Sequence, residues 1–497
     1  MSAHRLVVAG HGMVAHRLLA ELDAHRVDGL ETTVLGAEPH HAYNRILLPE
    51  VVAGHADLRG LTFPEARGVR LLRSRAASHI DRRRRVVTDA TGDEHPYDTL
   101  VLATGADPLF PKIDGLEGPE GVPLPGVTAL RTWDDACRVR EAAASGAQVV
   151  VLGGGLLGVE AAVAVAHASP DARPTVIHRG PTPIDRQFDP DSGRAIAAGL
   201  ADQGIAVLTG VRIRRVERRA DGALAAVRLT DDRRIPADLL VVAIGIAPRT
   251  RLAASAELWV RHGILVNADC RTDDPAIHAI GDCAQTGHGV QGLLGPGWEQ
   301  ARVVAHHLAE KVTGRPRPRP TLGGDGGVVR LKADGLDAVT MGEFPADEWA
   351  PGAPRVLGLV DPVGRRRVRI AVADGVLVGA TCVGDPQVAA DLTVAFDARS
   401  AVPLDPAALL ARPLAGAAPA ASVVDLPDDA VVCRCNAVPK GQIADAVAAG
   451  ADSAAAVAEA TRATTGCGSC TSDVCALVDA LRAAPRKEPS LSGTAVA

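Results

Sequence analysis

Twice in this chain a run of branched apolar residues breaks at a glycine pattern and resumes as a helix-like segment, and that repetition limits the folds open to it. The first instance is LVVAG running into Gly10-His11-Gly12-Met13-Val14-Ala15. The second is AQVVVLGGGLLGVEAAVAVA, which sets Gly153, Gly155 and Gly158 at the same spacing. Between a strand and a helix, glycine at the first position permits a tight turn and glycine at the second lets an anion approach the backbone. A small residue at the third lets helix and strand close on each other. The unpaired N–H groups and the dipole at the helix start then favour a phosphate. One such turn can arise without any ligand; two in one chain predict two dinucleotide cradles.

The strand after each cradle carries a selector. ETTVLGAE reaches Glu38, roughly 20 residues beyond the first turn, where a carboxylate can accept from both hydroxyls of a ribose. PTVIH instead ends in His178 and Arg179. An NADH site commonly presents an acid at that point. Here no carboxylate repels a 2′-phosphate and Arg179 can meet one, so the coenzyme is read as NAD(P)H, with the choice between the two open.

A chain of 497 residues exceeds one ordinary core. From residue 5 to about residue 310, short Val/Ile/Leu runs alternate with longer Ala/Leu-rich segments, the pattern of parallel strands joined by helices. The run RPRPRP, Arg315 to Pro320, is expected to leave this region extended. Short strands around turns such as Asp374-Gly375, followed by a helical stretch, predict a small α+β domain over 321–410. An Ala/Pro-rich linker over 411–424, a Cys-bearing module over 425–485 and a disordered tail over 486–497 complete the reading. A net charge of -6 and an aromatic content of 2% argue against a nucleic-acid partner. The basic runs Arg82 to Arg85 and Arg365 to Arg367 are read as solvated turns. The longest apolar stretch, Val149 to Ala166, carries glycines and Glu160, so no membrane span is expected. The first residues enter a strand pattern directly, and the cytoplasm is the expected compartment.

Two further segments point to a flavin. TLVLATGADP places Thr104-Gly105 after an apolar strand, and AIHAIGDCAQ places Gly281-Asp282 after another. A carboxylate beside a glycine at a strand end can bond a flavin ribityl hydroxyl while the backbone approaches its phosphate. Taken in order, GHGMVA, Glu38, ATG, GGGLLG, AIG ending at Gly245, and Gly281-Asp282 resemble the two-dinucleotide-domain flavoprotein reductases. More specifically, HAYNRILLPEVVAG (41–54), LRTWDDA (130–136) and GWEQARVVAHHL (297–308) resemble the large subunit of NAD(P)H-dependent nitrite reductases and the electron-transfer subunit of assimilatory nitrate reductases.

The resemblance implies an α/β architecture of two doubly wound dinucleotide-binding domains. An NAD(P)H domain, 116–244, is inserted into an FAD domain made of 1–115 and 245–315. It further implies Arg45 near the FAD pyrophosphate, Glu160 near the nicotinamide and Glu299 beside the flavin ring. With the motif residues, the expected FAD site is Gly10, Gly12, Ala15, Glu38, Arg45, Thr104, Gly105, Gly281, Asp282 and Glu299. The expected coenzyme site is Gly153, Gly155, Gly158, Glu160, His178, Arg179 and Gly245. Glu50 stands where rubredoxin and putidaredoxin reductases carry a lysine, which weighs against those groups. No cysteine precedes Cys137, which excludes disulfide reductases with a redox cysteine close to the flavin.

Four of the nine cysteines form a ligand-like set: Cys433-x-Cys435 and Cys467-x-x-Cys470. Four thiolates can hold a 2Fe-2S cluster or a tetrahedral zinc. Each pair is expected to precede a helix whose N-terminus faces an anionic centre, and Cys-x-Cys is uncommon in zinc knuckles. The spacing resembles the bacterioferritin-associated-ferredoxin-like (BFD-like) 2Fe-2S domain, a helical module, with Cys433, Cys435, Cys467 and Cys470 as ligands. Cys475, one helical turn past Cys470, is expected to pack into its helix.

The expected protein is therefore an NAD(P)H-dependent oxidoreductase carrying FAD and a 2Fe-2S cluster. It would supply electrons to a separate nitrate or nitrite reductase polypeptide, since the remaining cysteines lack the spacing for a further iron-sulfur site. A stand-alone ferredoxin or rubredoxin-type reductase, and a flavoprotein with a zinc docking module, stay open as alternatives. Homodimerisation is also left open.

Overall fold

The computed structural model describes residues 3–27, 29–118, 122–169, 171–316, 320, 322, 327–410, 423–433, 438–464 and 470–483. The chain divides into two compact units, Met1–Arg412 and Pro413–Ala497. Most of the expected linker, the expected tail and the middle of the RPRPRP run lie outside the described residues.

In the larger unit, strands of continuous apolar sequence form two parallel sheets. The first has the order Ile277–Ala279, Thr99–Leu102, His4–Ala9, Leu30–Leu35, Val69–Leu72. Its outermost strand comes from beyond residue 270, so two distant parts of the chain build one sheet. The second runs Ala206–Leu208, Thr175–Ile177, Val149–Leu152, Leu239–Val242, Val127–Ala129. Thr99–Leu102, Val149–Leu152 and Leu239–Val242 are buried at every position, as parallel strands covered on both faces must be. Where the chain leaves the first sheet and where it returns, Ala106–Pro108 and Ile246–Pro248 pair antiparallel. Against each parallel sheet packs a separate three-stranded antiparallel meander, Ala77–Pro96 for one and Ile213–Pro236 for the other.

The remaining part of this unit is a five-stranded antiparallel sheet in the order Val329–Ala333, Leu336–Gly342, Val376–Val383, Arg366–Ala373, Arg355–Asp361. The Pro386–Asp397 helix covers it through Val388, Ala389 and Leu392. Leu331, Leu336, Ala338 and Val383 join the same core as Val159 and Val163 of the Leu156–Ala168 helix.

The basic runs are corrected in part. Arg82 pairs with Asp273 and Asp274, and Arg84 with Glu94. Arg367 is buried within a strand, where it donates to the carbonyls of Leu359 and Val368. It is no solvated turn residue, because its strand is covered on both faces.

The smaller unit is a two-stranded ladder, Val431–Cys433 with Val438–Pro439, and three helices: Lys440–Ala448, Ala454–Thr461 and Thr471–Ala483. Val432, Ile443, Val457, Val474, Leu477 and Val478 form its core, with Cys433 and Cys470. Among the described residues no helix is long and apolar enough to cross a membrane.

Candidate functional site

Both glycine turns show the same division of labour. Gly10 has φ +118°, and a Cβ there would lie 2.1 Å from the Ala103 carbonyl oxygen; at Gly153, with φ +116°, it would lie 2.3 Å from that of Ala243. These positions make the turn. At Gly12 and Gly155 a Cβ would meet nothing within 4 Å. Each is the N-cap of a helix, Met13–Ala24 and Leu156–Ala168, that begins without a side-chain cap. Two helix ends are thus left with N–H groups facing open space, the condition an anionic pyrophosphate requires. At Gly158 a Cβ would lie 1.8 Å from the Gly153 carbonyl oxygen, and Ala15 fills the corresponding place fully buried. The residues present fit a dinucleotide at each turn.

Around the first turn, Glu38 is the centre of a polar cluster. Tyr43 donates its hydroxyl to Glu38 Oε2 at 2.8 Å, and Arg45 donates to Glu38 Oε1. Burial raises the Glu38 carboxyl, but the charge of Arg45 and the hydrogen bonds from Arg45 and Tyr43 outweigh it and hold the group below its ordinary value. The Arg45 guanidinium stacks 4.8 Å from the Tyr43 ring centre and donates to the Arg131 carbonyl at 3.1 Å. The Tyr43 hydroxyl in turn accepts from the Trp133 N–H. His11, inside the turn, has a buried Nδ1 with no partner among the described residues. Burial lowers its imidazole to about 4. It is neutral at ordinary pH.

Asp282 follows Gly281 at the end of Ile277–Ala279 and accepts from Arg131 Nη2 at 2.6 Å. Arg131 precedes a helix start fixed by a capping box between Thr132 and Asp135. Its Nε is buried and without a partner among the described residues. Gln300, buried on the Leu294–Thr313 helix, accepts from the Gly281 N–H at 2.7 Å. Glu299, its neighbour, is half-buried near the start of the same helix. Thr104 donates to the Arg249 carbonyl, and Gly105 accepts from the Arg249 N–H, tying this corner to the returning chain. Arg131, Tyr43, Gln300 and His11 escaped the sequence reading. Tyr43 and Arg131 lie in the segments that carried the resemblance, but their roles depend on contacts between distant elements.

At the second turn, the Gly154 N–H donates to His178 Nδ1 at 3.1 Å, and His178 Nε2 bonds Asp185 Oδ1 at 3.1 Å. Arg179 is exposed. Gly245, with φ +127°, follows the strand Leu239–Val242 and accepts from the Leu109 N–H. Glu160 is buried one turn into the helix and accepts from the backbone N–H of Lys332 at 2.9 Å, so its carboxylate ties the cradle helix to the antiparallel sheet. Burial, reinforced by the charge of Glu50, pushes it up to about 7.

In the smaller unit, Cys433 and Cys470 are buried in one core. Cys435 and Cys467 lie outside the described residues. The helices Lys440–Ala448 and Thr471–Ala483 begin after Pro439 and Cys470. Cys475 is exposed, against the expectation that it packs. The buried stripe of its helix is Val474, Leu477 and Val478, and one residue past Val474 the helix has turned by about 100°.

Two open phosphate cradles on adjoining parallel sheets define a dinucleotide-dependent flavoprotein reductase by class. Residues 4–307 match the pyridine nucleotide-disulphide oxidoreductase family, and the chain belongs to it. Residues 431–480 match the BFD-like [2Fe-2S] binding domain. The cofactors that go with these matches are FAD and NAD(P)H for the larger unit and a 2Fe-2S cluster for the smaller. The chain is similar to the NAD(P)H nitrite reductase of Bacillus subtilis (strain 168), 31% identical over 95% of this chain and 57% of the relative. It is likewise similar to the assimilatory nitrate reductase electron transfer subunit of the same organism, 29% identical over 95% of this chain and 59% of the relative. The chain thus spans about half the length of the curated relatives it matches. Among solved structures, a ferredoxin reductase of Rhodopseudomonas palustris matches with a TM-score of 0.66 and 25% identity, over 78% of this chain and 92% of that one. The putidaredoxin reductase of a covalent complex with putidaredoxin matches the fold with a TM-score of 0.70 at 23% identity, over 83% and 97%.

Proposed function

We propose that this protein takes electrons from NAD(P)H and delivers them, through FAD and a 2Fe-2S cluster in its smaller unit, to a separate nitrate or nitrite reductase polypeptide in the cytoplasm. The observation that carries the reading is the pair of uncapped helix ends at Gly12 and Gly155 in one unit, joined in one chain to a module that buries Cys433 and Cys470. Bound FAD supplies the conversion between a two-electron donor and a one-electron acceptor, which is cofactor chemistry.

The chain's own residues bind and orient. Gly12 and its helix end would take the FAD pyrophosphate, Glu38 the ribose, and Arg45 and Arg131 the adjoining negative charge. Asp282 and Gly281 would hold the ribityl end. Gly155 and its helix end would take the coenzyme pyrophosphate. Cys433, Cys435, Cys467 and Cys470 would hold the cluster, with the two following helix N-termini facing its negative charge. The nitrite and nitrate reductase names of the relatives support the terminal acceptor.

Anaerobic titration of purified protein with NADH and NADPH, followed by visible and EPR spectra and by iron and acid-labile sulfide analysis, tests the reading. Flavin bleaching and a reduced-cluster EPR signal are expected. A colourless protein, or zinc in place of iron, would overturn it.

A further inference from the structure

Resting on the proposed NAD(P)H reading of the second cradle, we infer that this cradle selects NADPH over NADH, with Arg179 and Arg186 as the residues that recognise the 2′-phosphate. In a doubly wound domain the coenzyme's adenosine ribose lies at the end of the strand after the cradle, and an NADH site places a carboxylate there for the 2′-hydroxyl. That strand is Thr175–Ile177, paired in parallel with Val149–Leu152, and its end is His178. The histidine is engaged on both sides. Its Nδ1 accepts from the Gly154 N–H, so the ring proton sits on Nε2 and is donated to Asp185. The first carboxylate after the strand end is thereby turned onto the imidazole. Gly180 makes room for it: a Cβ there would lie 1.9 Å from Asp185 Oδ2 and 2.7 Å from His178 Nε2.

The other nearby acids are also committed. Asp189 caps the Pro190–Asp202 helix through the N–H groups of Asp191 and Ser192, and Asp191 pairs with Arg194. Arg179 and Arg186 differ: both are exposed, and neither has a hydrogen bond or ion pair with another described residue. Two uncommitted arginines, one next to His178 and one next to Asp185, therefore belong to a strand end whose carboxylate is already occupied. A guanidinium fork matches phosphate oxygens in pairs, which a ribose hydroxyl does not need.

The loop that carries Asp185 and Arg186 is held against the cradle. Ile184 is 1% exposed and has φ +55°, a left-handed conformation that a β-branched side chain rarely adopts. Its N–H donates to the Gly154 carbonyl at 2.7 Å. Gly154, in the middle of the phosphate turn, thus fixes both the strand end through His178 and the loop through Ile184. Backbone held in a sparsely populated region by such contacts is what a pre-organised binding loop requires.

The test uses the FAD-loaded full chain, with ferricyanide as acceptor and anaerobic flavin bleaching as an independent readout. The expected result is a kcat/KM for NADPH at least about tenfold above that for NADH, the scale of one charge-assisted contact. The KM for NADPH should rise more steeply than that for NADH as ionic strength goes from about 0.01 to about 0.15 M. In the double variant Arg179→Ala/Arg186→Ala, the ratio of the two kcat/KM values should fall about tenfold. Equal or better use of NADH by the wild-type protein, or an unchanged ratio in the double variant, overturns the inference. If NADH bleaches the flavin and NADPH does not, the selection is wrong but the cradle still binds a nicotinamide coenzyme. If neither bleaches it, the underlying reading falls as well.

Discussion

Arg131 and Asp282 meet at 2.6 Å from positions 151 residues apart. One follows the strand Val127–Ala129 of the second parallel sheet and the other follows Ile277–Ala279 of the first. The pair therefore joins the two sheets at the point where the flavin is proposed to bind. Both side chains are about one-quarter exposed, so the interaction is only partly screened. Truncating Arg131→Ala leaves the Asp282 carboxylate without its strongest donor and removes a cation from the flavin site. We expect FAD affinity to fall by about 1.5–3 kcal/mol, roughly ten- to a hundredfold, and Arg131→Lys to recover part of it. The flavin-to-protein absorbance ratio after gel filtration, with an FAD titration of the stripped protein, checks this. Retention equal to wild type would remove Arg131 from the site.

The two kinds of glycine in each cradle give separable outcomes. Gly155→Val adds a side chain to open space at a helix start, so the protein should fold and keep its flavin. Reduction by NAD(P)H should fail, because the side chain fills the anion's approach. Gly153→Ala meets a carbonyl oxygen at 2.3 Å and an unfavourable φ, and should lower stability by about 2 kcal/mol or more. Thermal unfolding followed by flavin fluorescence, together with coenzyme-driven bleaching, distinguishes them. A large loss of stability in Gly155→Val would contradict the open cradle.

Glu160 makes stability depend on pH in a direction opposite to that of most carboxylates. Its folded value, pushed up to about 7 by burial, lies above the ordinary glutamate value, so the folded protein holds a proton that the unfolded chain has released. Stability from this group is full below the unfolded value, about 4.3. It declines as pH rises towards 7, and is constant above that. Glu160→Gln keeps a carbonyl oxygen for the Lys332 N–H and removes the ionisation. The variant should be more stable at pH 8 by about 2 kcal/mol and little changed at pH 4.5. Tm measured at both pH values checks the sign; a variant less stable at pH 8 would show that the carboxylate is held ionised.

The cradles were legible in the sequence because their constraint is local. A glycine that must adopt φ near +118°, or leave a helix end open, writes itself into three positions of one segment. Glu38 and Asp282 stand out in the sequence as carboxylates just beyond strands, and Arg45 enters only through the resemblance, since it lies in the short turn Arg45–Leu47 and not at a strand end. Their pairing was not legible. Sequence order cannot show that Arg45 and Tyr43 both turn onto Glu38, nor that Arg131 closes on Asp282, because those contacts arise where separate sheets meet. Arg367 and Cys475 were misjudged for simpler reasons. The first sits in a strand covered on both faces, where it donates to carbonyls and lies 3.8 Å from the Asp189 carboxylate. The second lies one residue off its helix's buried stripe, which the spacing of Val474, Leu477 and Val478 already defines.

That stripe separates the cysteines of the smaller unit into two groups with different expected behaviour. Cys433 ends a strand and Cys470 precedes the Thr471–Ala483 helix, and both are buried among the same apolar residues. A thiolate ligand lost from such a position removes both a metal bond and part of the core's organisation, because metal binding and folding are coupled in small modules. Cys433→Ser and Cys470→Ser are each expected to reduce bound iron to less than about one-fifth of wild type, since four sulfur ligands are needed to hold the cluster. Flavin content and bleaching by NAD(P)H should persist, because the cradles belong to the other compact unit. Cys475→Ser, exposed about 100° round the helix from Val474, should keep its iron. Iron and sulfide analysis of the three variants, with EPR of the dithionite-reduced proteins, decides the matter. Iron lost from Cys475→Ser but retained in Cys470→Ser would reassign the ligand set.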